Sequence, residues 1–418
     1  MTSIRSIKGT QDILPNQSQR WQALEATIRN TMDTYGYSEI RTPAFERTEL
    51  FVRGMGAETD IVSKEMYSWT DQGGENLTLK PELTAPVVRS FIQHNLGGQS
   101  PINKFYYIDA LFRRERPQKG RYRQFHQFGI EAFGSEHPEI DAEVIALAMS
   151  VFNNIGLAGL TLKLNSIGSP ECCCDYRNAL RDFLKPHFDD LSETSRKRFE
   201  NNPLRILDTK IPHEIEILQD APNVNDSWTE EDKVHFEGVC ALLDAMNIQY
   251  ELTPRLVRGL DYYTRTTFEI TSTALGAQDA ICGGGRYDGL VETLGGKPTA
   301  GIGFAAGMER ILLALGNDET CGDTIQVYIV GLGEDVRSIV VKLAENLRQN
   351  NVVTEFDVLR RSMKAQMREA NKAGARYAIL IGDRELESGE AEVKDLSSGE
   401  QQKIALDALV DHIISLPF

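Results

Sequence analysis

Residues 113–123 of this 418-residue chain read RRERPQKGRYR, five arginines and a lysine opposed by Glu115 alone. Arginine forks match phosphate oxygens in pairs, so the segment predicts a site for an anionic ligand: the phosphate of a nucleotide, of a nucleic acid, or of both. The sequence that follows, QFHQFGIEAFG, has the composition of a strand. On a strand Phe128, Ile130 and Ala132 face one way and predict core, while Gln127, Gly129 and Glu131 face the other. An amide and a carboxylate on either side of an open glycine floor suit a small cationic or amine-bearing ligand, with Glu131 as counter-charge. A solvated sheet face gives the same pattern, and the strand alone leaves both readings open.

Three later stretches carry the same kind of chemistry. LVRGLDYYTRTTFEI (256–270) sets Arg258 beside Gly259, with Tyr262, Tyr263 and Arg265 close behind. CGGGRYDGL (282–290) and AGIGFAAGMERILLAL (300–315) bring clustered glycines, which mark close backbone approach. Arg310 falls near the start of a helix, where the macrodipole disfavours a cation unless an anion is at hand. No G-x-x-x-x-G-K-[ST] occurs, and no His/Cys set has zinc spacing, so neither a P-loop nor a protein metal cage is expected. Gly331-Leu332-Gly333 lacks the third glycine of a dinucleotide fingerprint and reads as a strand-to-helix turn. Several arginines and a carboxylate–amide pair predict phosphoryl or nucleotidyl chemistry, carried by positioning and charge neutralisation.

The elements that must hold these residues can be read around them. Trp21, Leu24, Ile28, Met32 and Tyr35 recur at helical spacing after Pro15, with Asn16 as N-cap and Gly36 as stop. Lys104–Arg114 and Gln124–Gly134 predict two strands of an antiparallel hairpin around the basic loop. The uncharged stretch 144–162 predicts a buried amphipathic helix rather than a membrane span. Residues 167–255 read as a helical insertion, and strand-like sequence returns over 256–304, before a helix over about 306–315. After a linker at 316–323, strands at 324–330, 352–356 and 377–381 alternate with helices at 334–349 and 363–373, the pattern of a separate α/β domain.

Composition bounds the rest. Length predicts two to three domains, and 41% hydrophobic with 25% charged residues is ordinary for a folded protein. The net charge of −16 argues against a general nucleic-acid coat. Six cysteines, at 172, 173, 174, 240, 282 and 321, form no C-x-x-C pair and read as reduced thiols. With no leader sequence apparent, the expected location is the cytoplasm.

In order and spacing these stretches resemble the histidyl-tRNA synthetases, a family of class II aminoacyl-tRNA synthetases. IKGTQDILP (7–15) is similar to the family's N-terminal signature and RTPAFERTELF (41–51) to its motif 1, a dimer-interface element. FRRERPQKGRYRQFHQFGIEAFG resembles motif 2 and AGIGFAAGMERILLAL motif 3, while LVRGLDYY and GGGRYDGL resemble the two stretches peculiar to the histidyl enzymes. The resemblance implies an α+β fold: an antiparallel sheet with flanking helices, a helical insertion and a C-terminal α/β anticodon-binding domain. It divides the chain into a catalytic domain (1–166 and 256–320), the insertion (167–255) and the anticodon-binding domain (324–418). It implies that L-histidine attacks ATP to give histidyl-adenylate and pyrophosphate, and that histidine then passes to the 3′ end of tRNA(His).

Roles follow from the matching residues. Glu82 and Thr84, in LKPELTAP, and Gln127 would hold the amino end of histidine; Glu131, Tyr263 and Tyr287 would line its imidazole pocket. Arg113 and Arg258 would be the catalytic pair at the α-phosphate. Glu115 and Phe125 would meet adenine, and Arg121 and Arg310 the outer phosphates, with Mg²⁺ arriving on ATP. Arg116 and Gln118 would face the tRNA acceptor end, and Arg360, Arg361 and Lys364, with Arg368 and Lys372, would give a basic helix for the anticodon. The resemblance also implies a homodimer and no membrane partner. A synthetase-like regulatory subunit of ATP phosphoribosyltransferase would lack residues 324–418 and tends to lose the arginines retained here at 113, 258 and 310. LVRGLDYY and GGGRYDGL speak against another class II synthetase.

Overall fold

The computed structural model describes residues 3–56, 59–276, 280–316 and 325–417. Two compact units divide the chain, Met1–Asp318 and Glu319–Phe418.

In the first unit, α1 (Pro15–Thr34) buries Trp21, Leu24, Ile28 and Met32, the residues spaced for it. Asn16 is not its cap. Pro15 opens the helix, since its fixed φ and missing N–H suit the first position, and Leu14 before it makes no side-chain cap bond. β1 (Ser38–Glu39) and β2 (Phe45–Arg47) lead into α2 (Thr48–Met55). β3 (Tyr67–Thr70) and β4 (Asn76–Leu79) join β2 in a small sheet, ahead of α3 (Thr84–Gln93). β5 (Asn103–Phe112) and β6 (Gln124–Phe133) form the expected antiparallel hairpin around the basic loop.

The stretch 144–162 is not one helix. α4 (Pro138–Asn154) ends before Gly156, and the chain turns into β7 (Leu160–Ser166). α4 itself is buried along most of its length. The helices α5 (Pro170–Leu184), α6 (Glu193–Asn201), α7 (Pro212–Ile217) and α8 (Glu230–Ala245) follow, then β8 (Glu251–Leu252). β9 (Thr264–Ser272), β10 (Ala280–Arg286), α9 (Leu290–Thr293), β11 (Gly301–Gly307) and α10 (Met308–Ala314) complete the unit. Residues 256–263, read as strand-like, stay outside the sheet.

Among the described residues the large sheet runs β1-β5-β6-β11-β10-β9-β7-β8. Every pairing from β5 to β7 is antiparallel, and the short edge strands β1 and β8 add in parallel. Phe128, Ile130 and Ala132 point into the main core, against Trp21 and Ile28 of α1 and Leu147 and Phe152 of α4. α8 contributes Phe236, Val239 and Leu243 to that same core, whereas α5 and the turn after α6 build a cluster of their own around Tyr176, Leu180 and Ile206. The other face is covered in part by α3 and α9, which pack on Tyr107, Leu111 and Phe133, and the rest of it is open to ligands.

The second unit orders its strands β13-β12-β14-β15-β16: β12 (Val327–Gly331), β13 (Thr354–Phe356), β14 (Tyr377–Ile381), β15 (Glu390–Asp395) and β16 (Gln401–Ala405). The first three are parallel, joined through α11 (Arg337–Gln349) and α12 (Met363–Lys372); β15 and β16 add an antiparallel pair that the alternating pattern did not foretell. The linker assigned to 316–323 lies, from residue 317 on, outside the described residues, as does Cys321. Cys172, Cys173 and Cys282 are buried thiols, Cys174 is exposed and Cys240 lies between.

Candidate active site

Two adjoining cavities open on the ligand face of the sheet, of about 400 Å³ and about 200 Å³. Arg113, Gln127 and Arg258 line both. They reach this position by different routes. Gln127 comes from the pleat of β6, Arg113 from the first residue beyond β5, and Arg258 from the irregular segment before β9.

The smaller cavity is walled by Glu82, Thr84, Tyr262, Tyr263 and Tyr287. Glu82 takes up the free amides at the start of α3, accepting from Thr84 N at 2.7 Å and Ala85 N at 2.9 Å. Glu131 is not itself a wall residue. It lies buried behind them, accepting hydrogen bonds from Thr84 Oγ1 (2.8 Å), the Tyr107 hydroxyl (3.1 Å) and the Tyr287 hydroxyl. Burial pushes its carboxyl up to about 8, against the opposing pull of those three donors. The floor at Gly129 is not open. A side chain there would come within 2.6 Å of the Tyr107 ring, so the glycine makes room for the tyrosine that reaches Glu131. Tyr287 is aimed by its neighbours: Arg286 turns the other way, fully buried, onto Asp141 at 2.9 Å and Asp288 at 3.0 Å.

The larger cavity is lined by Glu115, Arg121, Phe125 and Arg310 beside the shared arginines. Glu115 sits 3.5 Å from Arg121 and 3.8 Å from Arg113, and the Arg113 guanidinium lies 5.2 Å from the Phe125 ring centre. Arg113 also donates to the Pro81 carbonyl at 2.8 Å. Arg258 is paired with Glu269 of β9 at 2.6 Å, and a side chain on Gly283 would overlap its guanidinium. That close approach is the physical reason for glycine at this point of β10. Glu309 accepts from the His126 backbone N–H at 3.0 Å and contacts its ring at 2.9 Å, tying α10 to β6. Phe125 and Gln127, either side of His126, are thereby held toward the cavities.

Several lining residues escaped the sequence reading. Tyr107 belongs to an aromatic pair whose pleat phase the sequence leaves open, whereas Tyr262, singled out beside Tyr263 without a role of its own, does line the smaller cavity. Glu269 is on the ligand face of β9, which alternation from Phe268 could have flagged. Asp208 and Lys210 reach the larger cavity from the insertion, and no local signal announces them.

The remaining expected residues fall elsewhere. Arg116 and Gln118 are exposed on the hairpin loop and line neither cavity; Gln118 exchanges backbone hydrogen bonds with Arg121. In the second unit Arg360 and Arg361 are not on the basic helix but in the turn before it, because α12 begins at Met363. Arg361 is engaged by Asp357 (2.5 Å) and Glu369 (3.0 Å), while Lys364 and Arg360 are exposed. Arg360 and Arg361 border a cavity of about 540 Å³ at the carboxyl end of β12.

A family model described as histidyl-tRNA synthetase matches residues 9–311, and one described as an anticodon binding domain matches residues 326–416. A histidine–tRNA ligase of Halothermothrix orenii is 48% identical over 416 residues, covering 99% of this chain and 99% of that one. Another, of Lysinibacillus sphaericus, is 48% identical over 418 residues, covering 98% and 99%. The crystal structure of apo S. aureus histidyl-tRNA synthetase matches at 39% identity with a TM-score of 0.84, covering 99% of this chain and 100% of that chain.

Proposed function

Since this chain belongs to the histidyl-tRNA synthetase family and is a histidine–tRNA ligase that uses ATP, we propose that the smaller cavity takes histidine, the larger takes ATP, and Arg113 and Arg258 act where the two meet. The observation that carries this reading is that both arginines line both cavities. The bond that forms joins the histidine carboxylate to the α-phosphorus, so the reacting atoms must lie at the junction. Two guanidinium groups there neutralise the charge that builds on the α-phosphate oxygens as pyrophosphate leaves.

Within the smaller cavity Glu82, Thr84 and Gln127 hold the ammonium group. Tyr263 and Tyr287 meet the ring, with Glu131 behind them fixing the hydroxyls of Tyr287, Tyr107 and Thr84. A pocket built from hydrogen-bonding groups rejects ligands that lack the matching ones. In the larger cavity Phe125 and Glu115 meet adenine, and Arg121 and Arg310 the outer phosphates. Glu269 and Glu309 are engaged by Arg258 and His126, and among the described residues no cluster of three or more metal-binding side chains occurs. Mg²⁺ would arrive with ATP, on its phosphate oxygens. Exposed Arg116 and Gln118 contact the acceptor end of tRNA(His), while Arg360 and Lys364, with Arg361, serve the anticodon.

The working form is a homodimer in the cytoplasm. Phe45 and Trp69, both exposed and 5.9 Å apart on the small sheet next to the motif 1 segment, support an interface there. No helix among the described residues is long and apolar enough to cross a membrane. Pyrophosphate exchange into ATP, run with each of the twenty amino acids, tests the site assignment. Exchange with histidine that Arg258→Ala abolishes supports it; unimpaired exchange by that variant rejects it. Sedimentation of the intact chain at a single-subunit mass would reject the dimer.

A further inference from the structure

We propose that the insertion latches the loop carrying Arg258, Tyr262 and Tyr263, and that Asn202 and Arg205 are positioning residues for histidine activation. The proposal rests on the reading that the smaller cavity takes histidine. The loop at 256–263 pairs with no strand of the sheet, yet it supplies an arginine and two tyrosines to the site. A segment without ladder hydrogen bonds must be ordered by side-chain contacts.

Some of those contacts come from outside the insertion, as the Arg258–Glu269 pair and the packing of Leu260 and Tyr262 show; the insertion supplies a second set. Asp261 Oδ1 accepts from Asn202 Nδ2 at 2.7 Å and from Arg205 Nε at 3.1 Å. Arg205 Nη2 also donates to the Gly259 carbonyl at 2.9 Å. One guanidinium thus grips the loop at two points, and each gripped residue is a direct neighbour of a site residue: Gly259 follows Arg258, and Asp261 precedes Tyr262. The pair is largely withdrawn from water, with side chains 12% and 27% exposed, so its hydrogen bonds are worth more than those of a surface pair.

The gripping turn is itself well anchored. Asn202 Oδ1 accepts from Leu204 N at 3.3 Å, which orients its amide toward Asp261. Pro203, Leu204 and Ile206 are buried, the latter two in the insertion's own apolar cluster. Arg198 of α6, 3.6 Å from Asp60, ties the insertion to a neighbouring segment of the site wall. A rigid turn therefore holds an irregular loop at the height its side chains need. A displacement of about 1 Å in such a loop costs on the order of a hundredfold in rate.

The test uses the full-length chain in histidine-dependent pyrophosphate exchange, comparing wild type with Asn202→Ala, Arg205→Ala, Asp261→Ala and the Arg205→Ala/Asp261→Ala double variant. Each single variant is expected to lose about tenfold in kcat/KM for histidine while KM for ATP moves less than about twofold. The double variant should fall short of the product of the singles by about fivefold or more, because both remove one contact. Arg205→Lys should recover part of the loss, since an ammonium can reach Asp261 but not Gly259 as well. Histidine kinetics like the wild type's in Asn202→Ala and Arg205→Ala, or losses that simply multiply, would overturn the latch. So would equal rises in KM for histidine and for ATP accompanied by a lowered melting point, the mark of a merely structural contact. A wild type that exchanges nothing with histidine would instead overturn the reading of the smaller cavity.

Discussion

Glu131 sits in surroundings at odds with its chemistry: a carboxyl buried behind three hydroxyls and held near 8 by desolvation. A carboxyl freed by unfolding titrates near 4.5. The folded state therefore prefers the protonated form, and this group's contribution to stability declines as pH rises from about 4.5 to about 8. Glu131→Gln removes that decline. The melting point of the variant relative to wild type should climb across this window, and a difference that stays flat with pH would contradict the burial argument. Above about pH 8, where the wild type presents a carboxylate that accepts from all three hydroxyls, the same variant should weaken histidine binding, because an amide NH₂ cannot accept from them. Arg258→Ala tests another kind of residue. Loss of one donor to developing charge should lower kcat by about a hundredfold or more, with KM for histidine changed less than about twofold. A rise in that KM alone would remove Arg258 from the α-phosphate. Gln127 and Glu131 were legible because a strand has period two, so one core assignment at Phe128 fixes the opposite face. Tyr107 was not, although it lies directly across from Gly129 and the glycine marked the place. The space that Gly129 leaves is filled by the Tyr107 ring.

At the scale of elements, the hairpin around the basic loop was plain from composition, and so was α1. Boundaries shifted where a proline or a glycine overrode the apolar pattern, as at Pro15 and before β7. The loop at 256–263 was misread as strand-like because its aromatics and aliphatics serve a cavity wall rather than a ladder. Asp208 and Lys210 lie outside any local pattern, since their partners across the larger cavity fall at 113–127 and 258–310, in segments with no sequence link to theirs. The glycine run of β10 yields a direct test. Gly283→Ala places a methyl group where the Arg258 guanidinium lies, between β10 and Glu269. The expected outcome is a loss of exchange approaching that of Arg258→Ala, about a hundredfold, in a protein whose melting point shifts by only a few degrees. Near-normal exchange would mean that Arg258 works from some other position.

At the scale of the molecule, both cavities on the large sheet are lined wholly by residues of the first unit, and the basic turn before α12 belongs to the second. Effects of substitution should segregate accordingly. Arg360→Ala with Lys364→Ala in the full chain should leave histidine-dependent exchange intact, lower kcat/KM for tRNA by about tenfold, and flatten its dependence on salt. Impaired exchange in that variant, or unaltered charging of tRNA, would contradict the division. Arg361 is a poor probe, since its pairs with Asp357 and Glu369 make its loss a structural lesion. The two-unit organisation was legible from the switch to alternating strands and helices, but the antiparallel pair β15–β16 was not read, although the five-residue connection at 396–400, with Gly399 at φ 81°, is a hairpin signal too short for a parallel crossover. The strand order has a consequence for how the protein is made. β11 is the last strand of its sheet to be synthesised, yet it lies in the middle, paired with β6 on one side and β10 on the other. Until Gly307 has left the ribosome, the nascent chain therefore carries two bare strand edges flanking an empty slot, the kind of surface that recruits other unfinished chains. Polypeptides cut short before Gly301 should partition to chaperones and proteases instead of persisting as half-working fragments, so that the last strand in doubles as a check that the message was read to that point.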